Sequence, residues 1–119
     1  MRDMDDSGDS TERLIIEMDN RPDVVNIRGA IQGGLVATLI DIAAGRLAGN
    51  VVGPGRDVTT ADMNVHFLAP IIEGPARAEA SIVRAGRRLI VTSVDVFDAG
   101  RDRLAARATL TFAVLERHQ

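Results

Sequence analysis

Two adjacent glycines, Gly33 and Gly34, open an apolar stretch that carries one carboxylate, Asp41. The recurrence of Leu35, Leu39, Ile42, Ala43 and Leu47 predicts a helix from Gly33 to about Leu47. The first N–H groups of a helix have no intrahelical acceptor and lie at the positive end of its dipole. Glycine there lets a ligand come close to the backbone. Such donors suit an oxygen that gains negative charge during a reaction, and Asp41 is a candidate general base. The two features are separated by ~12 Å of helix at 1.5 Å rise per residue, too far to meet on one small group within a chain. If both act together, Asp41 must come from a second copy whose helix runs alongside in the opposite sense. The row Gly34, Thr38, Asp41 and Gly45 is mostly small, as a close approach requires. Gln32, just before the glycines, can donate and accept hydrogen bonds but cannot take up a proton as a histidine would. Each feature also has a plainer reading: a satisfied structural carboxylate, a tight helix entry.

These residues need a scaffold. Leu14 to Met18 alternates like a short strand, and Pro22 sits in a loop between Asn20 and Gly29. Gly53-Pro54-Gly55 stops the helix. Val58 to Leu68 sets Ala61, Met63, Val65 and Phe67 against Thr60, Asp62, Asn64 and His66, which reads as a strand with a solvent face. Ala76 to Val83, Leu89 to Phe97 and Leu104 to Leu115 alternate in the same way. Arg84-Ala-Gly-Arg87 and Asp98-Ala-Gly-Arg101 are short, glycine-containing connections suited to antiparallel hairpins. The order is β-α-β-β-β-β, and a one-faced antiparallel sheet packs most economically by wrapping the helix, an α+β architecture. Arg84, Arg87 and Arg88 gather at one hairpin.

The chain has 119 residues, which favours one domain. Residues 1–12 carry a net charge of −4 and read as a disordered acidic tail; residues 13–119, with a net charge of +1, form the expected domain. With no Trp, no Tyr and three Phe, the core must be aliphatic. No Cys is present, which excludes disulfides, thiolate chemistry and cysteine-bound metal. No metal site is expected. All 14 cationic residues are Arg, yet the pI is only about 5.3 and there is no aromatic platform, so nucleic acid is not an expected partner. The start is acidic rather than basic then apolar, and no apolar run approaches the roughly 20 residues of a membrane span. A cytoplasmic protein without a membrane partner is expected.

The stretches NIRGAIQGGLVATLID, VTTADMNVHFLAP and EASIVRAGRRLIVTSVDVFD, in this order and spacing, resemble the hotdog-fold acyl-CoA thioesterases of the PaaI-like branch. The resemblance spans residues 24–115. It implies a hotdog fold and a homodimer, commonly a homotetramer, with active sites at subunit interfaces. The reaction it implies is hydrolysis of a small-to-medium or aryl acyl-CoA, with no cofactor beyond the coenzyme A of the substrate. By the same resemblance Asp41 is the base or nucleophile, Asn26 lies near the thioester, and the Gly33 N–H polarises its carbonyl. Thr60 matches a hydroxyl residue that helps place the water, and Gln32 falls where many members carry histidine. Gly34, Arg56, Arg84, Arg87 and Arg88 are candidates for binding substrate and the coenzyme A phosphates, which favour arginine. Aliphatic residues such as Leu35, Leu39, Ile42 and Leu68 would line an acyl tunnel. The departure at Gln32 keeps a second reading open, a hotdog protein that binds acyl-CoA without turnover.

Overall fold

Alternation along each strand decides which side is buried. A computed structural model of the chain describes residues 11–20 and 29–116, together with the backbone of 2–3. The elements are β1 (Arg2–Asp3), β2 (Arg13–Met18), α1 (Gly33–Val52), β3 (Arg56–Phe67), β4 (Ala76–Ala85), β5 (Leu89–Asp98) and β6 (Arg103–Glu116). The strands form one antiparallel sheet in the order β1-β2-β4-β5-β6-β3. Leu14 and Ile16, Ala76, Ala78 and Ala80, Ile90, Val94 and Val96, and Ala108, Leu110 and Phe112 are buried on its inner face. The helix lies across that face, as the order of elements implied, and the arrangement is the hotdog fold that the resemblance implied. Small alanines on β4 and β6 let the helix sit close to the sheet.

The helix is longer than its clearest periodicity. It runs to Val52 and ends where Gly53 takes φ 74° and returns its N–H to the Gly49 carbonyl at 3.2 Å. Its buried row is Val36, Leu39, Ile40, Ala43, Ala44, Leu47 and Ala48. Leu35 and Ile42, expected in that row, are only half-buried, because the stripe is centred about one residue further round. At 20 residues with mean hydropathy 1.5 the helix is long and apolar enough to cross a membrane, contrary to the expectation from the sequence. Its packing against the sheet makes it a core helix instead. The outer face of the sheet carries cross-strand ion pairs, Arg107–Asp95 at 2.8 Å and Arg13–Glu79 at 2.7 Å. Being exposed, such pairs contribute little to stability.

Among the described residues the sheet ends at β3, a 12-residue strand with a neighbour on one side only. Met63 and Phe67 on this strand are 41% and 58% exposed. A long edge strand without proline or lysine invites pairing with another chain.

Candidate active site

A bulge in β3 sets the geometry. Pairing with β6 runs Val58 to Val114 and Thr60 to Phe112, then resumes with Asp62 to Thr111 and Met63 to Leu110. Ala61 is therefore the extra residue, and extra residues of this kind re-aim side chains. Residues opposite one another across a ladder share a face. Phe112 and Leu110 are buried on the inner face, so Thr60 belongs with Met63, Val65 and Phe67 on the helix side. The alternation in the sequence put Thr60 with Asp62, Asn64 and His66 and is corrected here. His66 lies opposite Arg107 on the outer face.

Facing inward, the Thr60 hydroxyl donates to Asp41 Oδ1 at 2.8 Å. Asp41 sits half-buried near the middle of α1, and among the described residues Oδ2 has no hydrogen-bond partner. One oxygen is thus oriented while the other stays open to accept a proton.

The other half of the candidate site lies at the start of α1. Gln32 is the N-cap, with φ −61° and ψ 142°, and its carbonyl accepts the N–H groups of Leu35 and Val36 at 3.0 and 3.1 Å. Its exposed side chain makes no capping bond, and no acidic residue stands in the first turn. The Gly33 and Gly34 N–H groups therefore have no intrahelical acceptor, and no acidic side chain in the first turn offsets the dipole. Among the described residues, a Cβ on Gly34 would meet nothing within 4 Å, and one on Gly33 only the Phe67 ring at 3.5 Å. Among the described residues, no packing contact demands either glycine. Beside Gly33, a cleft of about 370 Å³ is lined by Ile31, Val36, Phe67, Leu68, Pro70 and Ile71 among others. Of the residues expected to line a tunnel, Leu68 does so; Leu39 is fully buried in the core, and Leu35 and Ile42 pack against it.

The arginines separate into two groups. Arg56 Nη2 donates to the Arg87 carbonyl at 2.8 Å, and its Nε lies 3.3 Å from Glu116 without hydrogen-bond geometry. Arg56 thus clamps the start of β3 to the β4–β5 turn. Arg84, Arg87 and Arg88 line a second cleft of about 540 Å³ with Gly86, Leu89 and Val91. No carboxylate among the described residues pairs with these three. Gly86 is required here, because a Cβ would come within 2.9 Å of the Leu89 carbonyl oxygen. Asn26 lies outside the described residues.

One residue that holds the site together was not singled out in the sequence. Asp98 is fully buried and accepts main-chain N–H groups from Ile72 at 2.9 Å, Glu73 at 3.2 Å and Gly74 at 2.7 Å. Burial pushes its carboxyl up, but the three N–H donors and the charge of Arg101 outweigh that and hold it below its ordinary value. It fixes the segment that follows Ile71, whose carbonyl in turn accepts the Ile31 N–H at 3.0 Å. The signal was its phase: Asp98 falls on the inward-facing register of Ile90, Thr92, Val94 and Val96.

Open N–H donors at a helix start, a hydroxyl-oriented carboxylate and an arginine cleft suit the hydrolysis of an activated acyl group. The profile of the thioesterase superfamily matches residues 28–105. The chain belongs to the thioesterase superfamily. Mouse acyl-coenzyme A thioesterase 13 is 31% identical over 84% of this chain and 71% of its own. A Saccharolobus solfataricus protein carrying an esterase name is 33% identical over 76% of this chain but only 59% of its own length. A Bacillus halodurans protein solved with CoA superposes with a TM-score of 0.77 at 31% identity, over 87% of this chain and 66% of that one. This thioesterase-family chain pairs its helix carboxylate with a threonine placed by a strand bulge.

Proposed function

We propose that this protein is an acyl-CoA thioesterase of the PaaI-like type that works as a homodimer, hydrolysing small-to-medium or aryl acyl-CoA without a further cofactor. The observation that carries this is the Thr60–Asp41 hydrogen bond, which orients a carboxylate on the helix and supports its reading as the base. In this reading two β3 edges pair antiparallel and bring Asp41 and Thr60 of one protomer to Gly33 of its partner. The unpaired 12-residue edge and the ~12 Å between Gly33 and Asp41 on one helix both support it. Higher association to a tetramer and a cytoplasmic location are part of the same proposal.

Asp41 Oδ2 takes a proton from water as the water oxygen attacks the thioester carbonyl carbon. The carbonyl oxygen becomes an oxyanion held by the Gly33 N–H, with Gln32 and Asn26 positioning the thioester. Collapse breaks the C–S bond, and the proton on Asp41 passes to the leaving thiolate. Arg84, Arg87 and Arg88 hold the coenzyme A phosphates, while Arg56 fixes their hairpin and Gly34 leaves room for the pantetheine. The test is release of free CoA from a panel of acyl-CoAs, read with a thiol reagent to which a protein without Cys adds no background. Turnover on at least one member is expected; no release from any, with intact dimer, would count against it.

Thr60→Val removes the orienting hydroxyl with little change in shape. It is expected to lower kcat about tenfold, the scale of one net hydrogen bond, with KM nearly unchanged. An unchanged kcat would take Thr60 out of the mechanism. Gln32 favours a second reading, acyl-CoA binding without turnover, since its side chain cannot ionise. Calorimetry showing micromolar binding, no release of CoA, and release restored by Gln32→His would favour that reading.

A further inference from the structure

We infer that Asp98 is a positioning residue for the reaction, setting where the Gly33 N–H lies through a main-chain tether that runs over Ile71 and Ile31; this rests on the proposed thioesterase activity. The helix entry does not place itself. Gln32 makes no side-chain capping bond, so Gly33 takes its position from what the preceding residues are tied to. Ile31, two residues before Gly33, is buried and donates its N–H to the Ile71 carbonyl at 3.0 Å. The place of Ile71 in turn follows from the segment around it.

Residues 68–75 belong to no helix or strand, so contacts with other elements must hold them. At one end Leu68 and Ala69 donate to the Ala105 carbonyl at 2.8 and 3.1 Å. At the other end the β5–β6 turn grips the segment. Asp98 Oδ2 accepts the N–H groups of Ile72 and Glu73, and Oδ1 accepts that of Gly74. Next to it, the Ala99 N–H donates to the Pro75 carbonyl at 3.0 Å. Gly100 lies so close that a Cβ there would come within 2.7 Å of the Gly74 carbonyl oxygen. Three successive N–H groups around one carboxylate form an anion-binding nest. Both oxygens are in use, and a neutral amide offers only one acceptor oxygen. A purely structural carboxylate would tie core elements together, whereas the three N–H groups that Asp98 holds all lie within three residues of Ile71. One oxyanion donor supplies about 10²- to 10³-fold in kcat. Misplacing such a group by about 1 Å, even from a distance, costs up to about 100-fold.

The test is kcat and KM of Asp98→Asn with the fastest substrate of the acyl-CoA panel, at a temperature where its circular dichroism matches the wild type. We expect kcat to fall about 10- to 100-fold with KM nearly unchanged. Ile90→Val, a truncation in the core on the same strand with a comparable loss of stability, should keep the wild-type kcat. Gly100→Ala shifts the segment and leaves the carboxylate in place, so it should lose kcat as Asp98→Asn does. Amide exchange gives a readout apart from activity. The Ile31 N–H should exchange about tenfold faster in Asp98→Asn and Gly100→Ala than in Ile90→Val. A kcat in Asp98→Asn equal to that of Ile90→Val would overturn the assignment and leave the thioesterase reading standing. If the wild type turns over no ester, that reading falls and exchange decides. Faster exchange at Ile31 then supports the tether; equal rates in Asp98→Asn and Ile90→Val overturn it.

Discussion

Asp41→Asn is expected to lower CoA release by about 10²- to 10⁴-fold, the range supplied by a positioned general base, with folding and association intact. The amide keeps the volume and can still accept from the Thr60 hydroxyl, which reaches Asp41 Oδ1 at 2.8 Å in the wild type. Only proton uptake is lost. Circular dichroism and sedimentation should match the wild type, so that the loss is chemical. A second measurement decides where the carboxylate acts. Gly33→Val crowds the approach to its own N–H without touching Asp41, and among the described residues its Cβ meets only the Phe67 ring, at 3.5 Å. In a symmetric dimer with shared sites, a heterodimer of the two inactive variants holds one site with Gly33 and Asp41 both intact. Random reassociation of equal amounts should therefore recover about a quarter of wild-type activity, since half the dimers are mixed and each has one working site. No recovery, with mixing verified by mass spectrometry, would place both groups in one protomer and sink the shared site.

The parts of this architecture visible in the sequence are those governed by local period. Ala76, Ala78 and Ala80 and the β6 row ending in Phe112 repeat every second residue, and a strand face follows directly from that. The helix start at Gly33 was legible for the same reason. Its last turn was less so, because Gly49, Asn50 and Val51 weaken the periodic pattern and Gly53 supplies the actual stop. Long-range pairing hid the rest. Nothing local to Thr59, Thr60 or Ala61 marks the extra residue; the bulge exists because β6 is in register on both sides of it. That one residue turns Thr60 from the outer face to Asp41, so the strand face was misread even though Thr60 itself was a candidate. Arg56 shows a similar limit, since its partner, the Arg87 carbonyl, is a main-chain atom with no sequence signature.

Asp98→Ala is expected to destabilise the protein by about 3 kcal/mol, and Asp98→Asn by about half as much. The carboxylate is fully buried and accepts three main-chain N–H groups. Alanine leaves all three without an acceptor. Ile72 and Glu73 are exposed, so water recovers part of the loss, which keeps the figure below three full desolvation costs. Asparagine keeps one acceptor oxygen but presents an NH₂ to the remaining donors. Thermal unfolding of Asp98→Ala, at equal protein concentration because association contributes to stability, should begin on the order of 10 °C lower. The pH dependence separates a charged acceptor from simple packing. The folded carboxyl titrates below its unfolded value of about 3.9, so its contribution is complete above that value and is lost as pH falls through the lower folded one. The gap between wild type and Asp98→Asn should therefore be constant from neutral pH down to about 4 and then narrow in acid. A gap that persists undiminished in acid would mean that Asp98 acts through its shape, and its charge would have no part in holding the wall of the cleft.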